Sequence, residues 1–413
     1  MRIEERLRRA LSARAGSARP SEGAWDAIEA GLARRRRRRT ATGFVAAGAA
    51  VVLLAVSTAW LWAALRGTPE PGSDSEAPPN PRVTATIPAG DFPAGIAAGE
   101  GAVWVAVPSA VPQKDCAGEV IRIEPGTNDV TARIPIHGWP SNLAVGFGSV
   151  WVEGFVCDEG GASEAALTQI DPETNSELGS IPLGGYSADV AVGEGAVWVT
   201  VSDAKADEGE VVRIDPVTTE VTARVPVEGD PRDVLVGEGG VWVLSRPPGG
   251  VHLCPADDSC LGDASPSLSG MEVLRIDPDT NQVVATFPDA LSVGIGEGAL
   301  WMSVWLTEDD SGLVRVDPAT GARDATLTGD FRGFAGEHGT MGTLVVGDGG
   351  VWLWGFPSPD AKNAQIYRLN ASTLELDASV SPGGRWIDAA LDPAGGTLWI
   401  SNYDDTVTRI DLG

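Results

Sequence analysis

Several kinds of chemistry are thinly represented in this chain. It has three histidines, four cysteines and four methionines among 413 residues. No Gly-x-Ser-x-Gly elbow, zincin helix or phosphate loop occurs, so the usual signatures of hydrolases, zinc proteases and nucleotide binders are missing. The acidic pairs Asp257-Asp258, Asp309-Asp310 and Asp404-Asp405 lack the dense alternation of a calcium loop. Basic residues are scarce outside the N-terminus. The net charge is −27. Residues 1–66 hold about 13 arginines and 5 acids, which leaves roughly 17 basic against 52 acidic residues, a net near −35. Such a surface stays soluble and repels nucleic acid and anionic lipid. No nucleic-acid partner and a monomeric state are expected. The acidic surplus reads first as solvated surface, with a cation or basic-partner site as the alternative.

What is abundant is a repeated phrase. A glycine turn followed by an apolar-Trp strand occurs seven times, at Trp104, Trp151, Trp198, Trp242, Trp301, Trp352 and Trp399. The spacings are 47, 47, 44, 59, 51 and 47 residues. Repeats of this length with four strands each predict a β-propeller. In the third repeat, residues 190–192, 196–199, 211–214 and 221–225 read as strands. Gly193-Glu194-Gly195 turns the chain between the first two, with glycine supplying positive φ. Asp215-Pro216 ends the third, because proline has no amide hydrogen for a ladder. The last repeat lacks a fourth strand. Residues 82–88 supply one, since Arg-Val-Thr-Ala-Thr-Ile-Pro matches Val-Thr-Ala-Arg-Ile-Pro at 130–135. The expected fold is all-β: a seven-bladed propeller over 82–413, closed by its N-terminal strand.

The phrases Val-Gly-Glu-Gly-Ala-Val-Trp-Val (192–199) and Arg-Ile-Asp-Pro-Val-Thr-Thr-Glu-Val (213–221) resemble the bacterial propellers grouped with virginiamycin B lyase and the YVTN-type repeats. The resemblance covers residues 82–413 and implies the propeller fold. For the lyase itself it implies histidine and glutamate near the central channel with a divalent metal. That pattern does not match here residue by residue, and Glu153, two residues past a blade tryptophan, is at an unmatched spacing. The fold carries over and the activity does not.

The chain preceding the repeats is different. Residues 1–39 form a short basic segment ending in six arginines, 34–39. Residues 43–65 carry no charge and are long enough to cross a roughly 30 Å hydrocarbon core as one helix. The arginines ahead of the span place the N-terminus in the cytoplasm and the propeller outside. A cleaved signal peptide is the rival reading, disfavoured by the length of the apolar run. Residues 66–81, rich in Pro, Gly, Ser and Glu, read as a flexible linker. The basic segment reads as a topology signal, or alternatively as a docking peptide that makes the chain a transmembrane sensor.

The four cysteines fall in the outer domain, where disulfides persist. Cys116 with Cys157, in equivalent loops of neighbouring blades, and Cys254 with Cys260, in one loop, are the expected bridges. Metal binding is the alternative, but the second spacing is not that of a Cys-x-x-Cys site.

Strand alternation places the long insertions 108–118, 154–166, 245–270, 307–311 and 357–363 on one rim. Function favours variable loops on a rigid scaffold, so this rim is the candidate ligand- or protein-binding face. Its blade-to-blade loops carry Phe92, Trp139, Tyr186, Phe331 and Trp386, with acids including Asp189, Asp233 and Asp388. Aromatics beside acids suit a sugar, a peptide or a cation. His137, His252 and His338 share the rim, and Glu337 adjoins His338. A lyase- or hydrolase-like enzyme would draw on His137, His338 and Glu337 with a divalent cation. Otherwise no cofactor and no metal site is expected. The repeated tryptophans, and the arginines 122, 213, 275, 315, 368 and 409, read as packing and recurring structural pairs.

Overall fold

The computed structural model describes residues 80–108, 117–157, 163–203, 208–248, 271–305, 311–329, 344–355, 365–383 and 386–413. They fold as an all-β propeller. The strands pair into six sheets, five of four strands and one of seven, and every strand-to-strand ladder is antiparallel. The seven-stranded sheet contains one strand of 15 residues, Gln282–Gly296. Its first half pairs with Met271–Asp277 and its second half with Ala299–Trp305.

All seven repeated tryptophans are completely buried, two of them in the seven-stranded sheet. In five of them the indole N–H donates to the carbonyl of the glycine before the turn, from Trp104 to Gly99 at 3.1 Å through Trp301 to Gly296 at 3.2 Å. An arginine from the third strand lies over six of the seven rings, at 5.1 Å for Arg213 on Trp198. In the exception, Gln169 stands opposite Trp151. The arginines also reach the next sheet. Arg213 donates to the Pro278 carbonyl at 2.7 Å and to Asn281 Oδ1 at 3.0 Å, and Arg122 does the same to Pro172 and Asn175. The repeated tryptophans and arginines are thus the joints of the toroid.

The expected closing strand is present. Arg82–Pro88 pairs antiparallel with Thr406–Asp411 and completes the sheet containing Trp399. Ile87 packs with Val103, Val105 and Val407, so this strand ties the two ends of the domain together. Arg409 adds a second tie, donating to the Pro125 carbonyl at 2.6 Å and to Asn128 Oδ1 at 3.1 Å.

The Gly-Glu-Gly turn has the positive φ expected of its glycines and adds one at its glutamate. Positive φ falls on its second and third residues, 48° at Glu100 and 72° at Gly101. This is the two-residue turn whose twist suits a hairpin. The leading glycine serves close approach, and at Gly193, Gly296 and Gly347 it too has positive φ, at 153°, 145° and 152°. A Cβ on Gly99 would lie 2.7 Å from Val145 Cγ1, and one on Gly146 2.9 Å from Val192 Cγ2. The left-handed glutamate, costly for a residue with a Cβ, is repaid by an inter-sheet bond. Glu100 Oε1 accepts from the Gly148 amide at 3.1 Å, and Glu238 and Glu297 repeat the contact.

Among the described residues no helix is long and apolar enough to cross a membrane, and residues 43–65 lie outside them.

Candidate functional site

The first strands of the sheets line a central channel with a cavity of about 390 Å³. Four residues before the turn glycine, the successive strands carry Gly95, Asn142, Asp189, Asp233 and Ser292. Asp388 holds the corresponding place in Trp386–Leu391. Of these, Asn142, Asp189, Asp233 and Asp388 line the cavity and form one polar level of the channel. A register shift marks five of the strands at or just before it: Pro140/Asn142, Ser187/Val190, Pro231/Val234, Ala290/Ser292 and Trp386/Asp388. A bulge re-aims the side chain next to it, which is how acids within strands come to face the channel. The sequence places Asp189, Asp233 and Asp388 in loops, because apolar alternation starts only after them. The structure places them inside strands that begin nearer the rim.

Side chains at this level tie one sheet to the next. Asn142 donates to the Ala188 carbonyl at 2.7 Å. Asp189 Oδ2 accepts from the Val234 amide at 2.9 Å, and Asp388 Oδ2 from the Ile96 amide at 3.0 Å. Behind them, two residues past the tryptophans, hydroxyls complete the joint. Thr200 accepts from the Asp189 amide at 3.0 Å and donates to the Arg232 carbonyl at 2.7 Å. Ser401 does the same with Asp388 and Ala94, at 3.1 and 2.6 Å. Asp233 breaks the pattern: its carboxyl has no hydrogen bond among the described residues, yet it borders the cavity.

The electrostatics follow. The three aspartates keep part of their surface open to the channel but are otherwise surrounded by protein. Desolvation pushes Asp388 up to about 6, against the amides of Ile96 and Ala389. Asp233 is likewise pushed by burial up to about 6, with the nearby Arg232 charge opposing. Asp189 is held well above the ordinary carboxylate range, first by burial and then by the Asp233 charge. Among the described residues, no three His, Cys, Asp or Glu converge closely enough to hold one metal ion.

Glu153 occupies the place that Thr200 and Ser401 hold in other sheets. It is fully buried. It accepts from the Asn142 amide and from the Ser187 hydroxyl, while its Oε2 has no partner among the described residues. Burial pushes it up to about 7. The sequence signal is a carboxylate two residues past a blade tryptophan, where the equivalent sites carry Thr200, Ser303 and Ser401.

The expected aromatics divide. Trp139, Tyr186 and Trp386 each open a channel-lining strand at its rim end. Tyr186 is exposed and meets Phe155 edge-on at 6.0 Å, while Trp139 and Trp386 are half-buried. Phe92, at φ 59°, stands on the rim against Tyr403 at 5.6 Å, its amide donating to Asp405 Oδ1 at 2.9 Å. None of these rings lines the cavity. His137 ends its strand exposed and off the channel. Phe331, Glu337, His338, Cys116, Cys254 and Cys260 lie outside the described residues, as does the side chain of Cys157.

Comparison with known proteins gives the fold alone. No family model matches the chain. No curated protein matches it either. Among solved structures, the Pan2 WD40 domain of Neurospora crassa superposes with a TM-score of 0.54 at 8% identity, covering 81% of this chain and 95% of that one. Hydrazine synthase of Kuenenia stuttgartiensis superposes at 0.53 and 14% identity, covering 82% and 99%. At such identities shared architecture says nothing of shared activity.

Proposed function

We propose that this chain is a membrane-anchored, extracytoplasmic binding module, a seven-bladed propeller that takes its ligand in the channel beneath the long-loop rim. Seven blades follow when Gln282–Gly296 is divided into the outer strand of one blade and the inner strand of the next. Asp289, at φ 66°, then stands at the same corner as Gly138, Gly185 and Gly229, all with positive φ. Each blade tryptophan then has its own four strands. Residues 43–65 anchor the chain, 1–39 lie in the cytoplasm, and 66–81 tether the propeller. Bridges Cys116–Cys157 and Cys254–Cys260 belong to the same reading, since the exterior sustains disulfides.

One observation carries the binding role: acids from three different sheets meet one level of a cavity sized for a small ligand. Catalysis has less support, because His137 is away from that cavity.

Two measurements test the proposal. Protease added to intact spheroplasts should digest the propeller and spare an N-terminal fragment; the converse protection would reverse the topology. A ligand-observed NMR screen of small fragments on the detergent-solubilised full chain should find binders that Ala191→Leu displaces. Leu235 already occupies the equivalent channel position in the next sheet, so this variant fills space without a foreign shape. Binders indifferent to that variant would move the site away from the channel.

A further inference from the structure

In the regular joint between sheets, the residue two past the tryptophan carries a hydroxyl. Thr200 and Ser401 each accept from an amide of their own sheet and donate to a carbonyl of the next. Glu153 stands at this place in the sheet of Trp151 and keeps half of that pattern. It accepts from the Asn142 amide of its own sheet. The carbonyl of the next sheet, at Ala188, is taken by the Asn142 side chain. The next sheet donates to Glu153 instead, from the Ser187 hydroxyl to Oε1. A carboxyl in place of a hydroxyl leaves one oxygen over. That oxygen, Oε2, is fully buried and has no partner among the described residues. An oxygen buried in this way is costly whether it bears a proton or a charge.

Glu153 lines a small cavity that shares no wall residue with the channel. Ile136, Pro140, Val152 and Ala166 make the wall largely hydrocarbon, and Thr168 adds a hydroxyl. Trp139 and Phe155, cross-strand partners, are the half-buried side of the wall, toward the rim. The cavity gives a guest about 10 Å³, the room that one water molecule needs. That size excludes an organic ligand. A bare divalent cation needs several converging oxygens, and no such set of side chains occurs among the described residues. Water donates and accepts, so a single molecule serves Oε2 in either state.

The charge around Glu153 is sparse. Its own strand and the strand of Asn142 carry no other charged side chain. The strands packed against it carry His137 beyond Ile136, Glu164 near Ala166, and Tyr186 and Asp189 on either side of Ser187. Arg133, on the strand of Ile136, is paired with Glu119. None of these lines the cavity. Burial favours the neutral carboxyl, and the bonds from Ser187 and Asn142 oppose it. An ionised Glu153 thus has no counter-charge in these walls, and a water dipole is the group that fits.

We propose that Glu153 and this cavity form a proton-linked water site: when the carboxyl gives its proton to solvent, one water molecule enters past Trp139 and Phe155 and binds Oε2. The site lies at the joint between the sheets of Trp151 and Trp198, so that joint is pH-sensitive. Ser187 donates to a neutral carboxyl below the transition and to a charged, hydrated one above it, and the charge-assisted bond is the stronger.

The test follows the Trp139 indole N–H by NMR through a pH titration of the detergent-solubilised full chain, the signal being assigned by its loss in Trp139→Phe. The expected result is one transition centred above 4.5, the ordinary value for this carboxyl, and its loss in Glu153→Gln. Glu153→Thr, which installs the side chain found at Thr200, provides the same loss by a second route. Ala166→Val fills the cavity and keeps the carboxyl, so it should move the transition up by about one pH unit. Circular dichroism checks that each variant folds. An experimental structure above the transition should show ordered water within hydrogen-bond reach of Oε2. A flat signal, or a transition at 4.5, would overturn the site. A transition that survives both Glu153 variants would assign it to another group. A transition unmoved in Ala166→Val, or no density beside Oε2, would overturn the water. A transition lowered by added ammonium or potassium would give the cavity to a monovalent cation and overturn the water as its guest.

Discussion

At the scale of single residues, Glu153 is the group whose behaviour the fold dictates most sharply. Its neutral form is favoured by burial, which raises it from 4.5 to about 7. The sign follows from proton linkage. Below 4.5 both folded and unfolded chains carry the proton and Glu153 is neutral in the pH balance. Between 4.5 and 7 the unfolded chain loses the proton first, so stability falls as pH rises. Above 7 the loss is complete, at roughly 3 kcal/mol for a shift of this size. Asp233 and Asp388 act in the same direction over a lower window, from 3.8 to about 6. Glu153→Gln should therefore be more stable than the native chain at pH 8 and lose part of the slope between pH 5 and 7. Urea denaturation at several pH values measures this. A variant whose slope is unchanged would mean that Glu153 is hydrated in the folded protein.

Glu153 also marks what was legible in the sequence. Its unusual position, two residues past a blade tryptophan, is visible in the repeat alignment. Its role is not, because that depends on Ser187 and Asn142 arriving from two other strands. The channel acids were named for their rim neighbourhood, and the structure does bring Asp189, Asp233 and Asp388 to one level. The aromatics named with them stay above it or outside it, since a ring at the first residue of a strand lies several residues from the acid further along.

At the scale of elements, the tryptophan period made the strands readable, and the incomplete last repeat pointed to the strand that completes it. That strand gives a prediction of its own. Ile87 is buried against Val103, Val105 and Val407, whereas Val83 on the same strand is exposed. Ile87→Ala should cost about 2–5 kcal/mol, the range for a large-to-small core change. Val83→Ala should cost under about 1 kcal/mol. Equal, small effects in chemical denaturation would mean that the ends of the domain are held mainly by the Arg409 tie. The glycine turns were readable as turns but not as contacts. The reason for the leading glycine is a valine on the neighbouring sheet, a residue about 46 positions away that no local rule connects to it.

At the scale of the whole molecule, the joints between sheets and the channel are one design. The same level of the first strands that ties Asn142, Asp189 and Asp388 to their neighbours also places Asp233 beside the channel. A rigid toroid fixes those groups before any ligand arrives, which is the condition for binding without a large ordering cost. The strongly acidic composition adds a long-range attraction for cations that added salt would screen.

The most direct measurement is an experimental structure of the protein soaked with a binder from the fragment screen. The account predicts ordered density in the channel, beside Ala191 and Leu235 and within reach of the acids of the polar level. An empty channel at saturating probe, or density confined to the rim around Phe92 and Tyr403, would contradict it.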